Sequence, residues 1–186
     1  MKKNLLIIGA GGVAKVVAHK AAYHSDIFQT IHIASRKIAK CHSIIDSINR
    51  KNPAIDSNLL KAHQLDAMDV EATKKIITEN NCSIVINVGT AFLNMSVLRS
   101  CIDTGAAYID TAIHEDPLKI CETPPWYANY EWKHKKECAQ KAITAILGAG
   151  FDPGVVNAYA ALAATEYFDK INDIDIIDIN AGNHGK

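Results

Sequence analysis

The feature that most constrains this chain is a glycine turn set between an apolar run and a helical pattern. Leu5-Leu6-Ile7-Ile8 is followed at once by Gly9-Ala10-Gly11-Gly12-Val13-Ala14, and an alternation with helical spacing continues to about His24. A G-x-G-x-x-A string on its own is common. At the end of a strand and the start of a helix it is the expected cradle for a dinucleotide. Gly9 would allow the tight turn, Gly11 and Gly12 would let backbone N–H groups approach a pyrophosphate, and Ala14, next to Val13, would permit close helix–strand contact. The helix N-terminus adds free amides and a partial positive charge.

The rest of the chain repeats this unit. Short β-branched runs at Asn4–Ile8, Thr30–Ala34, Leu60–Leu65, Ser83–Val88 and Ala107–Asp110 alternate with helical patterns near Val13–His24, Lys37–Asn49, Val70–Asn80 and Asn94–Thr104. Alternation of this kind builds βαβ units and a parallel sheet covered on both faces, so the expected class is α/β, a Rossmann-type doubly wound sheet. On the first helix, Val13, Val16, Val17 and Ala21 share a face and are expected to pack inward.

After Asp110 the pattern changes. Pro117, Pro124 and Pro125 make the stretch from His114 to Pro125 an ordered loop. A helix from Trp126 to Lys141 follows, then a strand Thr144–Leu147 and a helix from Pro153 to Phe168 with Asp152 as its N-cap. Asn172–Asn180 alternates Asp and Ile like a half-exposed strand. It has no sheet to join before Lys186, so residues 1–168 read as the NADP-binding domain and 169–186 as the start of a truncated α+β substrate or dimerisation domain. The piece by itself is expected to bind cofactor without turning over substrate.

Cofactor choice is read from the end of the second strand. NAD-binding domains place an Asp or Glu there for the ribose hydroxyls, whereas this chain has Ser35-Arg36-Lys37. An arginine can stack on adenine and grip a 2′-phosphate through paired N–H groups, Ser35 can donate to the same group, and Lys37 adds charge. The expected cofactor is therefore NADP(H); the alternative is a solvated helix start. Asp66 stands either at the adenine edge or as a turn cap. Asn87, with Val88 and Gly89, stands either beside the ribose and nicotinamide or as a structural amide closing the loop.

Composition excludes other classes. Lys+Arg and Asp+Glu are both 20, so no basic stripe points to nucleic acid. The five cysteines form no C-x-x-C pair, which signals neither a disulfide framework nor a metal site. The apolar run at the N-terminus stops at Gly9 and no stretch reaches membrane-spanning length, so the expected location is the cytoplasm, with no membrane partner.

Gly9–Ala14, Asn87-Val88-Gly89, Tyr108-Ile109-Asp110-Thr111-Ala112 and above all Gly150-Phe151-Asp152-Pro153-Gly154-Val155 resemble, in order and spacing, the saccharopine dehydrogenase family. Trp126-Tyr127-Ala128-Asn129-Tyr130-Glu131-Trp132 and Asp175–Gly182 are most similar to its carboxynorspermidine (carboxyspermidine) dehydrogenase branch. The resemblance covers the whole chain. It implies NADPH-dependent reduction of the imine between aspartate semialdehyde and a diamine in polyamine biosynthesis, by a homodimer when full length. Asp110 and Asp152 are then the expected contacts for the substrate ammonium or iminium, each with a structural alternative, at a strand end and at a helix cap. Trp126, Tyr127, Tyr130 and Trp132 either wall the pocket or belong to the core. His114, His134 and His184 carry little information on their own. The competing readings are a saccharopine-type reductase of lysine metabolism and a non-catalytic NADP-binding module.

Overall fold

The computed structural model describes residues 2–114, 116, 118, 128–177 and 179. Six parallel strands form one sheet in the order β3-β2-β1-β4-β5-β6. They are β1 (Lys3–Ile8), β2 (Phe28–Ser35), β3 (Leu60–Gln64), β4 (Cys82–Asn87), β5 (Ala107–Asp110) and β6 (Ala145–Ile146). Between them run α1 (Gly12–Ala22), α2 (Ile38–Lys51), α3 (Val70–Glu79) and α4 (Asn94–Thr104). The chain winds outward from β1 to β3, crosses back to β4 beside β1, and winds outward again. This is the Rossmann-type order, and the reversal leaves a crevice at the C-terminal ends of β1 and β4.

The sheet is buried on both sides because β1 is apolar at every inner position. Leu5 and Ile7 join Ile31, Ile33, Ala14, Ala18, Cys41, Ile44 and Ile48 on the α1–α2 face. Leu6 and Ile8 join Ala34, Val85, Val97, Leu98, Ile102 and Tyr108 on the α3–α4 face. Register follows from this pairing, with Leu5 opposite Ile31 and Ile84, and Ile8 opposite Ala34 and Asn87. A slip of one residue would turn every one of these side chains to the wrong face.

The inward face of α1 agrees with expectation at Ala21 and partly at Val17, and differs at Val13 and Val16. Val13 and Val16 are 56% and 60% exposed, whereas Ala14, Ala18, Ala21 and Ala22 are buried. Small side chains win there because the helix lies close over β1 and β2, and bulk at those positions would lift it off the sheet. α4 agrees with its expected bounds and ends on Gly105 in the left-handed region, φ 79°. α3 is capped by Asp69, which accepts from the Ala72 N–H at 3.0 Å.

Beyond β5 the sequence reading needs correction. In place of one helix over 126–141 there are two short ones among the described residues, α5 (Asn129–Trp132) and α6 (Lys135–Gln140). Arg99 of α4 clamps α6 through Glu137 at 2.8 Å, which fixes α6 to the sheet-covering layer independently of α5. α7 (Val155–Leu162) starts later than expected, with Gly154 and not Asp152 as N-cap, because a turn at 151–153 comes first. Residues 169–177 form no strand; no ladder partner for them exists among the described residues. The loop prolines Pro117, Pro124 and Pro125, together with Trp126, Tyr127 and His184, lie outside the described residues.

Cys41, Cys82, Cys101 and Cys138 are buried free thiols, in keeping with the absence of a disulfide pattern. Among the described residues no helix is long and apolar enough to cross a membrane, and no cluster of three or more His, Cys, Asp or Glu could hold a metal.

Candidate functional site

Because all six strands are parallel, the residues that follow them gather at one edge of the sheet. A cleft of about 420 Å³ opens there, lined by Gly9 after β1, Ser35 and Arg36 at the end of β2, Asp66 and Met68 after β3, and Gly89, Thr90, Phe92 and Leu93 after β4. That volume is in the range of about 300–1,000 Å³ typical of small-molecule sites. Five residues chosen from sequence alone (Gly9, Ser35, Arg36, Asp66 and Gly89) thus share one cavity.

The glycine turn separates into two roles. Gly9 has φ 120°, and a Cβ there would stand 2.9 Å from the Val88 carbonyl oxygen. It is the residue that lets β1 end against β4. At Gly11 and Gly12 an added Cβ would meet nothing within 4 Å. The fold therefore leaves open the space that backbone amides need if they are to reach a phosphate. Gly11 caps α1 without a side-chain bond, and α1 has no acidic residue in its first turn, so the positive end of the helix dipole is not offset locally. Val13 is exposed on the first turn, and Ala14 is fully buried against the sheet.

After β2, Arg36 and Lys37 are exposed and Ser35 is half-buried. The Ser35 hydroxyl accepts the Lys37 N–H at 3.3 Å, and the Arg36 carbonyl accepts from Gln64 Nε2 at 3.4 Å. Those two bonds hold the turn through the Ser35 hydroxyl and the Gln64 amide, and Arg36 lines the cleft. No carboxylate occupies the position after β2 where a 2′-hydroxyl would be bound. Asp66 caps its turn, its Oδ1 accepting the Met68 N–H at 3.1 Å, and the residue also lines the cleft.

Asn87 is turned inward. It is 3% exposed, its Oδ1 accepts from Gly89 N at 3.1 Å, and its Nδ2 donates to Asn94 Oδ1 at 2.9 Å. Its neighbour Val88 is 8% exposed, at the strand end that Gly9 approaches.

Asp110 and Asp152 form one assembly with different surroundings. Asp110 is fully buried; Oδ1 accepts the Gly148 N–H at 2.6 Å and Oδ2 accepts the Tyr108 hydroxyl at 2.8 Å. Burial pushes its carboxyl up to about 6, against the lowering effect of those two bonds, with the nearby Glu131 carboxyl adding a smaller upward push. The Asp110 carbonyl also accepts from Ala149 N at 2.8 Å. The glycine-bearing loop after β6 is therefore pinned to Asp110, and Asp152 stands exposed on the turn that this loop presents. A Cβ on Gly150 would overlap the Thr111 carbonyl oxygen, so the loop lies directly on the end of β5.

Three residues important to this edge escape sequence reasoning. Tyr108 reads as a strand aromatic, Asn94 as a helix start and Glu131 as part of an aromatic run, yet all are buried and bonded beneath the crevice. Tyr108 bonds the Asp110 carboxylate, Asn94 bonds the Asn87 and Glu131 side chains and the Ala112 carbonyl, and Glu131 also accepts the His114 N–H, pairings across distant segments that no spacing rule announces. Tyr130 meets the His114 ring edge-on at 4.9 Å, and Trp132 is 55% exposed under Lys135; neither lines the nucleotide cleft.

Residues 5–146 match the saccharopine dehydrogenase NADP binding domain family. The chain is 46% identical over 98% of its length to carboxynorspermidine synthase of Vibrio cholerae serotype O1, covering 44% of that protein. It is 36% identical over 98% of its length to carboxyaminopropylagmatine dehydrogenase of Synechocystis sp., covering 43% of it. The chain thus spans less than half the length of both relatives. Among solved structures, apo saccharopine dehydrogenase (L-Glu forming) from Saccharomyces cerevisiae superposes with a TM-score of 0.67 at 22% identity, over 88% of this chain and 31% of that one. That last likeness speaks to the fold.

Proposed function

From the premise that this chain belongs to the saccharopine dehydrogenase NADP binding domain family, with NADP(H) as its cofactor, we propose that it is the cofactor-binding part of an imine reductase of polyamine synthesis. The substrate would be the imine of aspartate semialdehyde and an amine. The observation that carries this reading is the single cleft shared by Gly9, Ser35, Arg36, Asp66 and Gly89, in a chain 46% identical to a carboxynorspermidine synthase.

The residues present fit the cofactor. Gly11, Gly12 and Val13 would offer amides to the pyrophosphate, with Ala14 seating the helix close enough to do so. Arg36, with Ser35 and Lys37, would hold the 2′-phosphate, and Asp66 would meet the adenosine side. When bound, the cofactor supplies a hydride to the imine carbon; with one proton taken up at nitrogen, the C=N bond becomes a secondary amine and NADPH becomes NADP⁺. The protein's part is to orient the imine and pair its charges. Asp152, exposed on the turn after β6, is proposed to meet the substrate ammonium or iminium, and Asp110 to hold the loop that carries it.

Charge favours this substrate class over an amino-acid imine of lysine metabolism. Segments 108–116 and 150–157 contain no Lys or Arg but include Asp110, Glu115, Asp116 and Asp152. A substrate rich in carboxylates would need cations there, whereas an amine needs acids. The substrate walls, the partner subunit of a homodimer and the catalytic groups beyond residue 168 belong to the rest of the full-length protein in this proposal, and the cytoplasm is its proposed location.

The test is NADPH consumption by the complete enzyme given aspartate semialdehyde with putrescine, diaminopropane or agmatine. Oxidation that needs both the semialdehyde and one of these amines is expected. Oxidation with glutamate as the only accepted amine would move the enzyme to the lysine reading, and NADPH binding without turnover on any pair would leave a binding module.

Cofactor choice has its own check. Arg36→Ala should weaken NADPH binding by about 1.5–3 kcal/mol, the range of hydrogen bonds to charged groups, and leave NADH binding nearly unchanged. Titration of both cofactors into parent and variant measures this, and equal losses would remove Arg36 from the 2′-phosphate site.

A further inference from the structure

Beneath the C-terminal ends of β4 and β5 lies a buried polar relay that meets the cleft at Gly89 and runs on through residues to which the cofactor reading gives no part. Gly89 N–H donates to Asn87 Oδ1, Asn87 Nδ2 donates to Asn94 Oδ1, and Asn94 Nδ2 donates to the Ala112 carbonyl at 2.6 Å and to Glu131 Oε1 at 3.4 Å. The same Glu131 oxygen accepts the His114 backbone N–H at 2.7 Å. His114 Nδ1 lies 3.1 Å from the Ala91 carbonyl oxygen. A carbonyl only accepts, so this bond places the proton on Nδ1. One carboxylate oxygen on α5 thus gathers two chains of bonds, and both end in the segment 89–93 that walls the cleft.

Packing alone does not call for this arrangement. Asn87, Asn94 and Glu131 are 3%, 1% and 3% exposed, and among the described residues no Lys or Arg lies within ion-pair distance of Glu131. Its second oxygen, Oε2, is buried and has no hydrogen-bond partner among the described residues. An acid buried without a cation is costly, and a four-residue helix has little intrinsic stability with which to hold it. What the carboxylate provides is an acceptor for donors that belong to the crevice loops, in surroundings where each such bond is strengthened.

Position says which part of the ligand feels this. If Ser35 and Arg36 hold the 2′-phosphate, the adenosine half lies over β2 and β3. The other half must then cross the point of reversal toward β4 and β5, where the relay lies.

We propose that Glu131 is a positioning residue for the nicotinamide half of NADP(H), acting through Asn94 and His114 to hold segments 89–93 and 112–114 in place before the cofactor arrives. This rests on the NADP(H)-binding reading above. A pre-formed wall shows in affinity, because a loop that must be ordered on binding subtracts from it.

The experiment compares two ligands on the same chain: NADPH, and adenosine 2′,5′-bisphosphate, which lacks the nicotinamide half. Glu131→Ala should weaken NADPH about tenfold and the bisphosphate no more than about twofold, one tenfold step being about 1.4 kcal/mol. Glu131→Gln, which keeps an accepting oxygen, should stay within about threefold of the parent for both. Equal losses for the two ligands, an unchanged NADPH affinity in Glu131→Ala, or a Glu131→Gln chain as impaired as Glu131→Ala would each overturn the proposal. Should Glu131→Ala fail to fold, Asn94→Ala interrupts the same relay and is read by the same comparison. A parent chain that binds neither ligand would instead remove the NADP(H) reading itself.

Discussion

Gly11→Val is expected to abolish the thermal stabilisation that NADPH gives the chain and to leave the free chain folded. Gly11 has φ −90° and ψ −166°, an extended conformation open to any L residue, and a Cβ there would touch nothing within 4 Å. The folding cost is therefore limited to the few tenths to about 1 kcal/mol that a poor N-cap residue loses. A branched side chain would nevertheless fill the space through which amides must reach the pyrophosphate. At a ligand concentration of about 100 times Kd the parent gains about 2.7 kcal/mol, and the variant should gain none. Gly9→Ala is the contrasting case. Its φ of 120° and its approach of 2.9 Å to the Val88 carbonyl oxygen place the cost in the folded chain itself, with or without ligand. Strained backbone of that kind costs on the order of 1–3 kcal/mol. Melting curves with and without NADPH separate the two, and a Gly11→Val chain that keeps the parent's ligand-induced shift would mean that the phosphates bind elsewhere.

Those two glycines also show what a linear reading can and cannot reach. The fingerprint places both, since strand, turn and helix follow one another directly. That Gly9 in particular must lack a side chain depends on Val88, which lies just past the end of β4. The same limit explains α1: hydrophobicity alone selects Val13 and Val16, but closeness to the sheet selects Ala14 and Ala18. The strands and α4 were legible because each carries a local pattern and its own stop signal, such as Gly105. That Arg36 and Asp66 would stand at one cleft was legible because parallel strands bring all their ends to one edge. Asp152 was read as a helix cap because Asp-Pro often starts a helix, yet here Gly154 takes that position, with its N–H donating to Asn157 Oδ1 at 2.9 Å. Glu131 and Asn94 were invisible because they bond to the His114 N–H and the Ala112 carbonyl, backbone groups that every residue has.

Asp110 carries the largest expected loss of stability. Asp110→Ala would strand the Gly148 N–H and the Tyr108 hydroxyl, both buried, and each unsatisfied group costs about 1–3 kcal/mol. Together they amount to about 2–6 kcal/mol, a large part of the roughly 5–15 kcal/mol that holds a domain of this kind. Asp110→Asn should be far milder, because Oδ1 can still accept from Gly148 while the amide donates to the tyrosine oxygen. Parent and Asp110→Asn differ further with pH. With its carboxyl raised to about 6 by burial, from an unfolded value of 3.8, folded Asp110 holds its proton more tightly than the unfolded chain does. Its contribution to stability is then complete below about pH 4 and is lost as pH rises through about 6, a change on the order of 3 kcal/mol. Asp110→Asn lacks that titration, so its stability relative to the parent should improve between pH 4 and pH 7, as read from urea unfolding at a series of pH values. Parallel stability curves for parent and Asp110→Asn would show that the buried carboxyl titrates as it does in the unfolded chain, and a harmless Asp110→Ala would show that the loop bearing Asp152 is held by something else.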